Sequence, residues 1–219
     1  MKSSIYSLLV QDNLMEKVDD IALEKGMSRS QMVNEIFAEY LGISTPEYKI
    51  NKVMDFICKE FLDTSSIRIM SNNKGSSIKL MTNIKYKYNP QLHYMLELKG
   101  KNKDKLATLK IQSRTQSKVF LDHLVKFFVL FTEIERIYEI GFRKNVIDKS
   151  YFVVEGNRFL RDFYYDWTND SYSPEGLSQF LINYISMINE SVNIYFENIA
   201  DSKTTVILMT AIYRKYMEM

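Results

Sequence analysis

The 219-residue chain is poor in residues that build disulfide or metal frameworks, with one cysteine and two histidines. The lone Cys58 excludes an intrachain disulfide, and its place beside an apolar helical stripe predicts a small core residue. His93 and His123 are far apart in sequence and have no ligand-spaced companions. We therefore predict that the protein has no metal site.

Glycine and proline are also scarce, with seven and three copies. The glycines are isolated from one another, which excludes a dinucleotide-binding fingerprint and a phosphate-binding loop. No catalytic constellation is visible elsewhere in the sequence. We therefore predict that the protein is not an enzyme and binds no cofactor.

Long uninterrupted apolar runs are missing. The most apolar stretch, Val119 to Ile140, is broken by Asp122, Lys126, Glu133, Glu135 and Arg136. Charges at bilayer depth are costly, so the sequence predicts no membrane span.

The first four residues lead straight into an apolar segment and predict no signal peptide. With 46% apolar residues and a net charge of +2, we expect a cytoplasmic globular protein of one or two domains.

The first 45 residues contain a strand, a helix, a turn and a second helix. Residues 5–10 are apolar and too short for a helix, so they predict a strand. Asp12 is expected to cap a first helix, and Gly26 stands where a left-handed C-cap is needed. Ser28 and Gln31 have capping-box spacing at the start of a second helix. Apolar residues recur at helical spacing in both helices: Leu14, Met15, Val18, Ile21, Ala22, Met32, Val33, Ile36, Phe37, Tyr40 and Leu41.

One strand and two short helices bury too little apolar surface to be stable alone. A second copy of the chain would pair the two strands as an antiparallel ribbon, so we predict a homodimer or a higher even oligomer. This module, residues 1–45, resembles the ribbon-helix-helix family of DNA-binding proteins. The resemblance rests on the strand ending at Val10, on the run Val18 to Ala22, and on Gly26-Met27-Ser28-Arg29-Ser30 before the second helix.

The resemblance implies a specific contact with double-stranded DNA. In the family the paired strands lie in the major groove, where one strand face reads the bases. Here that face is expected to carry Ser3, Ile5, Ser7 and Leu9, with Tyr6, Leu8 and Val10 pointing inward. The start of the second helix, with Ser28, Arg29 and Ser30, is expected to hold a backbone phosphate. The family resemblance implies a prokaryotic transcriptional regulator, a repressor.

The strand departs from the family pattern, which leaves two hypotheses open. Ile5 and Leu9 can contact only thymine methyl groups, and Ser7 reads bases weakly. Residues 1–45 also carry four basic and seven acidic side chains, a net charge of −3. The ribbon either enters the groove or serves as a dimerisation scaffold whose outer face is covered.

Residues 46–219 are predicted to form an α+β domain. Thr45 and Pro46 begin a helix that ends near Asp63. A four-stranded antiparallel meander is expected next, and the chain is predicted to be helical from Gln116 onward. The predicted strands are Ser66–Ser71, Ser76–Tyr88, His93–Lys99 and Leu106–Arg114. The predicted helical part includes Gln116–Ile140, the aromatic-rich Phe152–Trp167, a helix capped by Ser173 and a last helix at Lys203–Met217.

The predicted sheet has a basic face. Residues 65–118 carry twelve basic and two acidic side chains, a net charge of +10. Alternation places these basic residues on the face opposite the core: Arg68, Lys79, Lys85, Lys87, Lys99, Lys110 and Arg114. The face is either an ordinary solvated surface whose lysines discourage edge pairing or a surface for nucleic-acid phosphates or an acidic partner.

The sequence does not specify what the C-terminal domain binds. Its aromatic cluster is core between helices or, alternatively, the lining of an effector pocket. The members of this cluster are Phe159, Phe163, Tyr164, Tyr165 and Trp167. The sequence thus predicts a DNA-binding regulator. The alternative is a protein whose first module is a scaffold and whose basic sheet or helical domain binds a protein or nucleic acid, as plasmid-maintenance or toxin-neutralising accessory proteins do.

Overall fold

The computed structural model describes residues 5–43, 46–73, 76–99, 105–138, 151–155, 157–164 and 173–217. The chain divides into two compact units, Met1–Tyr48 and Lys49–Met219. Ser3, which was predicted to face DNA, lies outside the described residues.

The N-terminal unit contains two helices, α1 (Asp12–Lys25) and α2 (Arg29–Tyr40). Each ends at a left-handed glycine: Gly26 has φ 62° and Gly42 has φ 65°. Beyond each glycine, a backbone N–H reaches back over the last turn, from Met27 to Ala22 O and from Ile43 to Ala38 O, both at 2.8 Å. These are Schellman ends, which satisfy the last carbonyl groups of a helix.

The start of α2 has the predicted capping box. The Ser28 hydroxyl accepts from the Gln31 N–H, and the Gln31 side chain accepts from the Ser28 N–H at 2.9 Å. The predicted cap of α1 is wrong by one residue, since Gln11 is the N-cap and makes no side-chain cap bond. Asp12 instead occupies the first turn, where its negative charge favours the positive end of the helix dipole.

Residues 5–10 form no strand within the single chain. A strand needs a partner strand, and in the predicted ribbon that partner comes from a second copy of the chain. The ribbon therefore stays a prediction.

The C-terminal unit is built on a six-stranded antiparallel sheet of order β1-β2-β3-β4-β6-β5. The strands are β1 (Arg68–Asn73), β2 (Ser77–Asn83), β3 (Gln91–Leu98), β4 (Lys105–Ser113), β5 (Tyr151–Glu155) and β6 (Arg158–Tyr164). The helices of this unit are α3 (Pro46–Asp63), α4 (Lys118–Tyr138), α5 (Pro174–Glu197) and α6 (Ser202–Met217). The first three residues of α3 belong to the N-terminal unit.

One face of the sheet forms the core with the helices. Cross-strand rows such as Leu80–Tyr94–Ile111–Phe159 are fully buried. Phe128 of α4 stacks on Phe159 with ring centroids 4.9 Å apart. The α3 stripe predicted from the sequence belongs to the same apolar cluster: Ile50, Val53, Met54, Ile57 and Phe61. Burial of such large apolar side chains is the main source of stability in this unit.

The predicted four-stranded sheet has two further strands. The segment predicted as helical and aromatic-rich, Phe152–Trp167, instead supplies the hairpin β5–β6, and β6 pairs with β4. Phe159 and Phe163 are buried core residues, whereas Tyr165 and Trp167 lie outside the described residues. Within the described part of the chain, no helix is long and apolar enough to cross a membrane.

Candidate nucleic-acid interface

The start of α2 is the first part of the candidate interface. Its capping box occupies the N–H groups of Ser28 and Gln31. The N–H groups of Arg29 and Ser30 lie in the first turn, where a helix has no intrahelical acceptor for them. Two N–H groups at the positive end of a helix dipole form a geometry that can bind an anion.

The side chain of Arg29 is not free for that anion. Its Nε donates to Asp19 Oδ1 at 2.7 Å, and its Nη2 donates to the other oxygen of the same carboxylate. The hydrogen bond from Arg29 holds the pKa of Asp19 below its usual value, and the pKa of Arg29 is raised in turn. The Arg29 side chain is exposed and that of Asp19 is partly exposed, so a phosphate can compete with Asp19 for the guanidinium group.

The N-terminal unit leaves most of its large apolar side chains exposed. Among its described residues, only Ala22, Met32 and Ala38 are buried apolar residues. Both the predicted base-facing residues and the predicted inward residues of segment 5–10 are exposed; Val10, the least exposed large one, is 41% accessible. The exposed set comprises Ile5, Tyr6, Leu8, Leu9, Val10, Leu14, Ile21, Leu23, Ile36, Phe37, Tyr40, Leu41 and Ile43. A cluster of this size on a short unit is typical of a surface that another chain covers.

The second part of the candidate interface is the outer face of the sheet, opposite the helices. Lys79 of β2 and Lys110 of β4 lie on either side of Met95 in one cross-strand row. Two strand spacings separate them, which is about 10 Å. Arg68 lies in the next row, opposite Met81. Arg68, Lys79 and Lys110 are the three predicted basic residues that the structure places together on this face, and we call them the outer-face trio.

Four of the predicted face residues lie elsewhere. β2 ends at Asn83, so Lys85 and Lys87 belong to the connection between β2 and β3 rather than to a strand face. Lys99 and Arg114 follow the ends of β3 and β4, and Lys99 is ion-paired with Glu97. The predicted seven-residue face is therefore wrong in its extent, because the alternation around Ile84 and Tyr86 continues after the strand has stopped.

The hairpin β5–β6 changes the charge of the outer face. It adds Asp162, whose carboxylate is 2.7 Å from Lys105 Nζ and accepts from the Thr108 hydroxyl at 2.8 Å. It also places Arg158 directly opposite Glu155. The place of these residues on the outer face could not be predicted from the sequence, because β6 joins β4 from about 50 positions further along the chain. The outer face is consequently less basic than the +10 of residues 65–118 implies.

A buried polar network lies on the inner face. Arg161 of β6 donates through Nη2 to Glu135 Oε1 of α4 at 2.9 Å, and the Tyr184 hydroxyl of α5 donates to Glu135 Oε2 at 2.7 Å. Burial, together with the charge of Glu135, raises the pKa of Tyr184 well above its usual value, so the hydroxyl remains a donor. This network ties one strand to two helices inside the core and serves the fold.

Comparisons of the chain with family models, with curated proteins and with solved structures found no match. Among the described residues, no group of three or more metal-ligating side chains comes together. His93 lies on the outer sheet face, and burial and the charge of Arg114 lower its pKa. His123 lies on α4 beside the rings of Tyr195 and Phe196.

Proposed function

We propose that the protein is a homodimeric regulator that binds double-stranded DNA, a transcriptional repressor of the prokaryotic cytoplasm. In this proposal the N-terminal unit dimerises as a ribbon-helix-helix module. The observation that carries it is the start of α2, where a complete capping box leaves the N–H groups of Arg29 and Ser30 at the positive end of the helix. A DNA phosphate bound there would position the ribbon in the major groove.

The exposed apolar cluster of the N-terminal unit supports the dimer. Two copies related by a twofold axis would bury the same surface twice, and the 5–10 segments would gain each other as strand partners. Thirteen large apolar residues are exposed among the described residues of this unit, far more than isolated surface residues would account for.

The outer-face trio supports a further electrostatic contribution to DNA affinity. Each phosphate neutralised by a lysine or arginine releases counterions, so the affinity gained there is independent of base sequence. Sequence preference would then come from the ribbon, where Ser7 is the one polar side chain among the described residues of its base-facing set.

A pair of opposite substitutions tests the phosphate contact. Arg29→Gln removes the guanidinium group and should weaken binding of random duplex DNA severalfold, whatever its sequence. Asp19→Asn removes the competing carboxylate, frees Arg29 and should strengthen binding. Fluorescence anisotropy measured over a series of salt concentrations would give each affinity and its salt slope. Unchanged binding in both folded variants would exclude the start of α2 as a DNA contact.

The second candidate function is a dimerisation scaffold whose C-terminal unit binds a protein or nucleic acid. Two observations favour it. Segment 5–10 is apolar on both sides, and the Arg29 side chain is already hydrogen-bonded to Asp19. If the wild-type protein is a dimer but binds no duplex at low salt, the scaffold function replaces the first proposal.

A further inference from the structure

The connection between β2 and β3 contains a turn with an unusual backbone. We call residues 85–89 the KYKYN turn, after their sequence. The Asn89 N–H donates to Tyr86 O at 2.9 Å, which closes a four-residue turn. Tyr88 and Asn89 have positive φ angles of 65° and 43°. Glycine and asparagine adopt such angles readily, whereas an aromatic side chain rarely does.

The turn contacts the core of the C-terminal unit through Tyr86 and helix α5 through Lys85. Tyr86 packs against Phe120 and Phe196, with ring centroids 5.9 and 5.1 Å away. The Lys85 N–H donates to Asn193 Oδ1 at 3.3 Å, and Lys85 Nζ lies 3.3 Å from Glu197 of α5. The Ile84 N–H donates to Pro90 O at 2.9 Å and continues the strand pairing just before the turn. These contacts hold the turn in one conformation.

The upper side of the turn presents an aromatic ring beside a cation. Tyr86 points into the core, while Tyr88 is 99% exposed. Lys87 between them is exposed, and no acidic side chain of the described residues forms an ion pair with it. A fully exposed ring on a disfavoured backbone points to contact with a ligand, because glycine or asparagine would form the same turn at lower cost.

We propose that the KYKYN turn binds single-stranded nucleic acid. An unpaired base stacks on the ring of Tyr88, and Lys87 neutralises the adjoining phosphate. Stacking platforms of this kind combine an aromatic face with nearby basic charge and accept any base. Lys85 is ion-paired with Glu197, so Lys87 supplies the charge of the turn that attracts a polyanion. The site is distinct from the duplex contact proposed at α2 and does not rest on it.

The test compares three variants of the full chain for binding of a fluorescein-labelled oligothymidylate about 12 nucleotides long, measured by anisotropy. Tyr88→Asn removes the ring but suits the positive φ angle, and should weaken binding by roughly 5- to 100-fold. Tyr88→Phe keeps the ring and should bind as the wild type does. Lys87→Ser should reduce the salt slope by about 0.7, the value for one contact to a single strand.

Thermal unfolding provides the folding control. Tyr88→Asn should unfold at the same temperature as the wild type or higher, so weaker binding cannot be attributed to misfolding. Equal oligothymidylate affinity in Tyr88→Asn and wild type would overturn the proposal. Absence of oligothymidylate binding by the wild type at low salt would also overturn it and would reassign the turn to a protein partner.

Discussion

At the scale of single residues, Glu135 joins one strand and two helices of the C-terminal unit. It is a buried carboxylate that accepts hydrogen bonds from Arg161 and from Tyr184. Removing one member of a buried ion pair leaves the other charge without compensation in a medium of low polarity. Single substitutions within the network should therefore destabilise the fold of the C-terminal unit.

We predict that Glu135→Leu lowers the free energy of unfolding by about 3–5 kcal/mol, since it removes the buried carboxylate that accepts from both Arg161 and Tyr184. Tyr184→Phe should cost about 1.5–3 kcal/mol, because it removes one hydrogen bond to a charged acceptor. Urea denaturation of both variants measures these losses. The double variant Glu135→Leu with Arg161→Met should lose less than Glu135→Leu alone. A loss of under about 1 kcal/mol for Glu135→Leu would mean that the pair does not hold the core together.

Residue patterns also show what the sequence could predict. The capping box of Ser28 with Gln31 and the left-handed Gly26 were predicted correctly, because each depends on neighbours within four residues. Asp12 was predicted to cap α1, but Gln11 is the cap. Lys85 and Lys87 continue the strand alternation in sequence, yet β2 ends at Asn83 and the chain turns after Ile84, so alternation alone placed them wrongly.

At the scale of elements, the sequence did not predict the strands that pair with a distant part of the chain. The ends of α2, α3 and α5 follow local signals such as Gly42, Pro46 and Ser173, and these helices were predicted within a few residues. The hairpin β5–β6 was predicted as part of a helical region. Its aromatic residues are buried because β6 docks beside β4, a partner that no local pattern specifies. The acids that the hairpin brings to the outer face were missed for the same reason.

The proposed ribbon gives a prediction about the first element. Val10→Asp would place an unpaired charge in the dimer core and should convert the protein to a monomer at micromolar concentration. Leu62→Asp is the matched control: Leu62 is 74% exposed, but it lies in the C-terminal unit, so this variant should stay dimeric. Light scattering distinguishes the two states. A wild-type protein that is a well-folded monomer at the same concentration would contradict the ribbon assignment.

At the scale of the whole molecule, charge is divided between the two units. Residues 1–45 carry −3 and residues 65–118 carry +10, so the N-terminal unit is a poor source of general phosphate affinity. Any duplex affinity should therefore depend strongly on the outer-face trio of the sheet. The acids Asp162 and Glu97 are paired with Lys105 and Lys99. Among the described residues, no acid forms an ion pair with a member of the trio.

Changing the trio together, with Arg68→Ser, Lys79→Ser and Lys110→Ser, should lower duplex affinity. The salt slope should fall by up to about 2.7, the value for three phosphate contacts. Lys59→Ser, Lys126→Ser and Lys203→Ser form the control, since they are exposed and remove the same charge. Anisotropy at several salt concentrations measures both slopes. Equal slopes for the two triple variants would show that only net charge matters and that the outer face makes no defined contact.

The order of the strands has a consequence for synthesis on the ribosome. β4 leaves the ribosome about 45 residues before β6, its neighbour in the sheet, so its second edge stays open while α4 is made. At roughly 5–20 residues per second this interval lasts several seconds. An open edge is a template for pairing with another nascent chain. Lys105 and Lys110 lie on that strand and would oppose such pairing while the protein is incomplete. In the finished protein Lys105 is paired with Asp162, and Lys110 belongs to the outer-face trio.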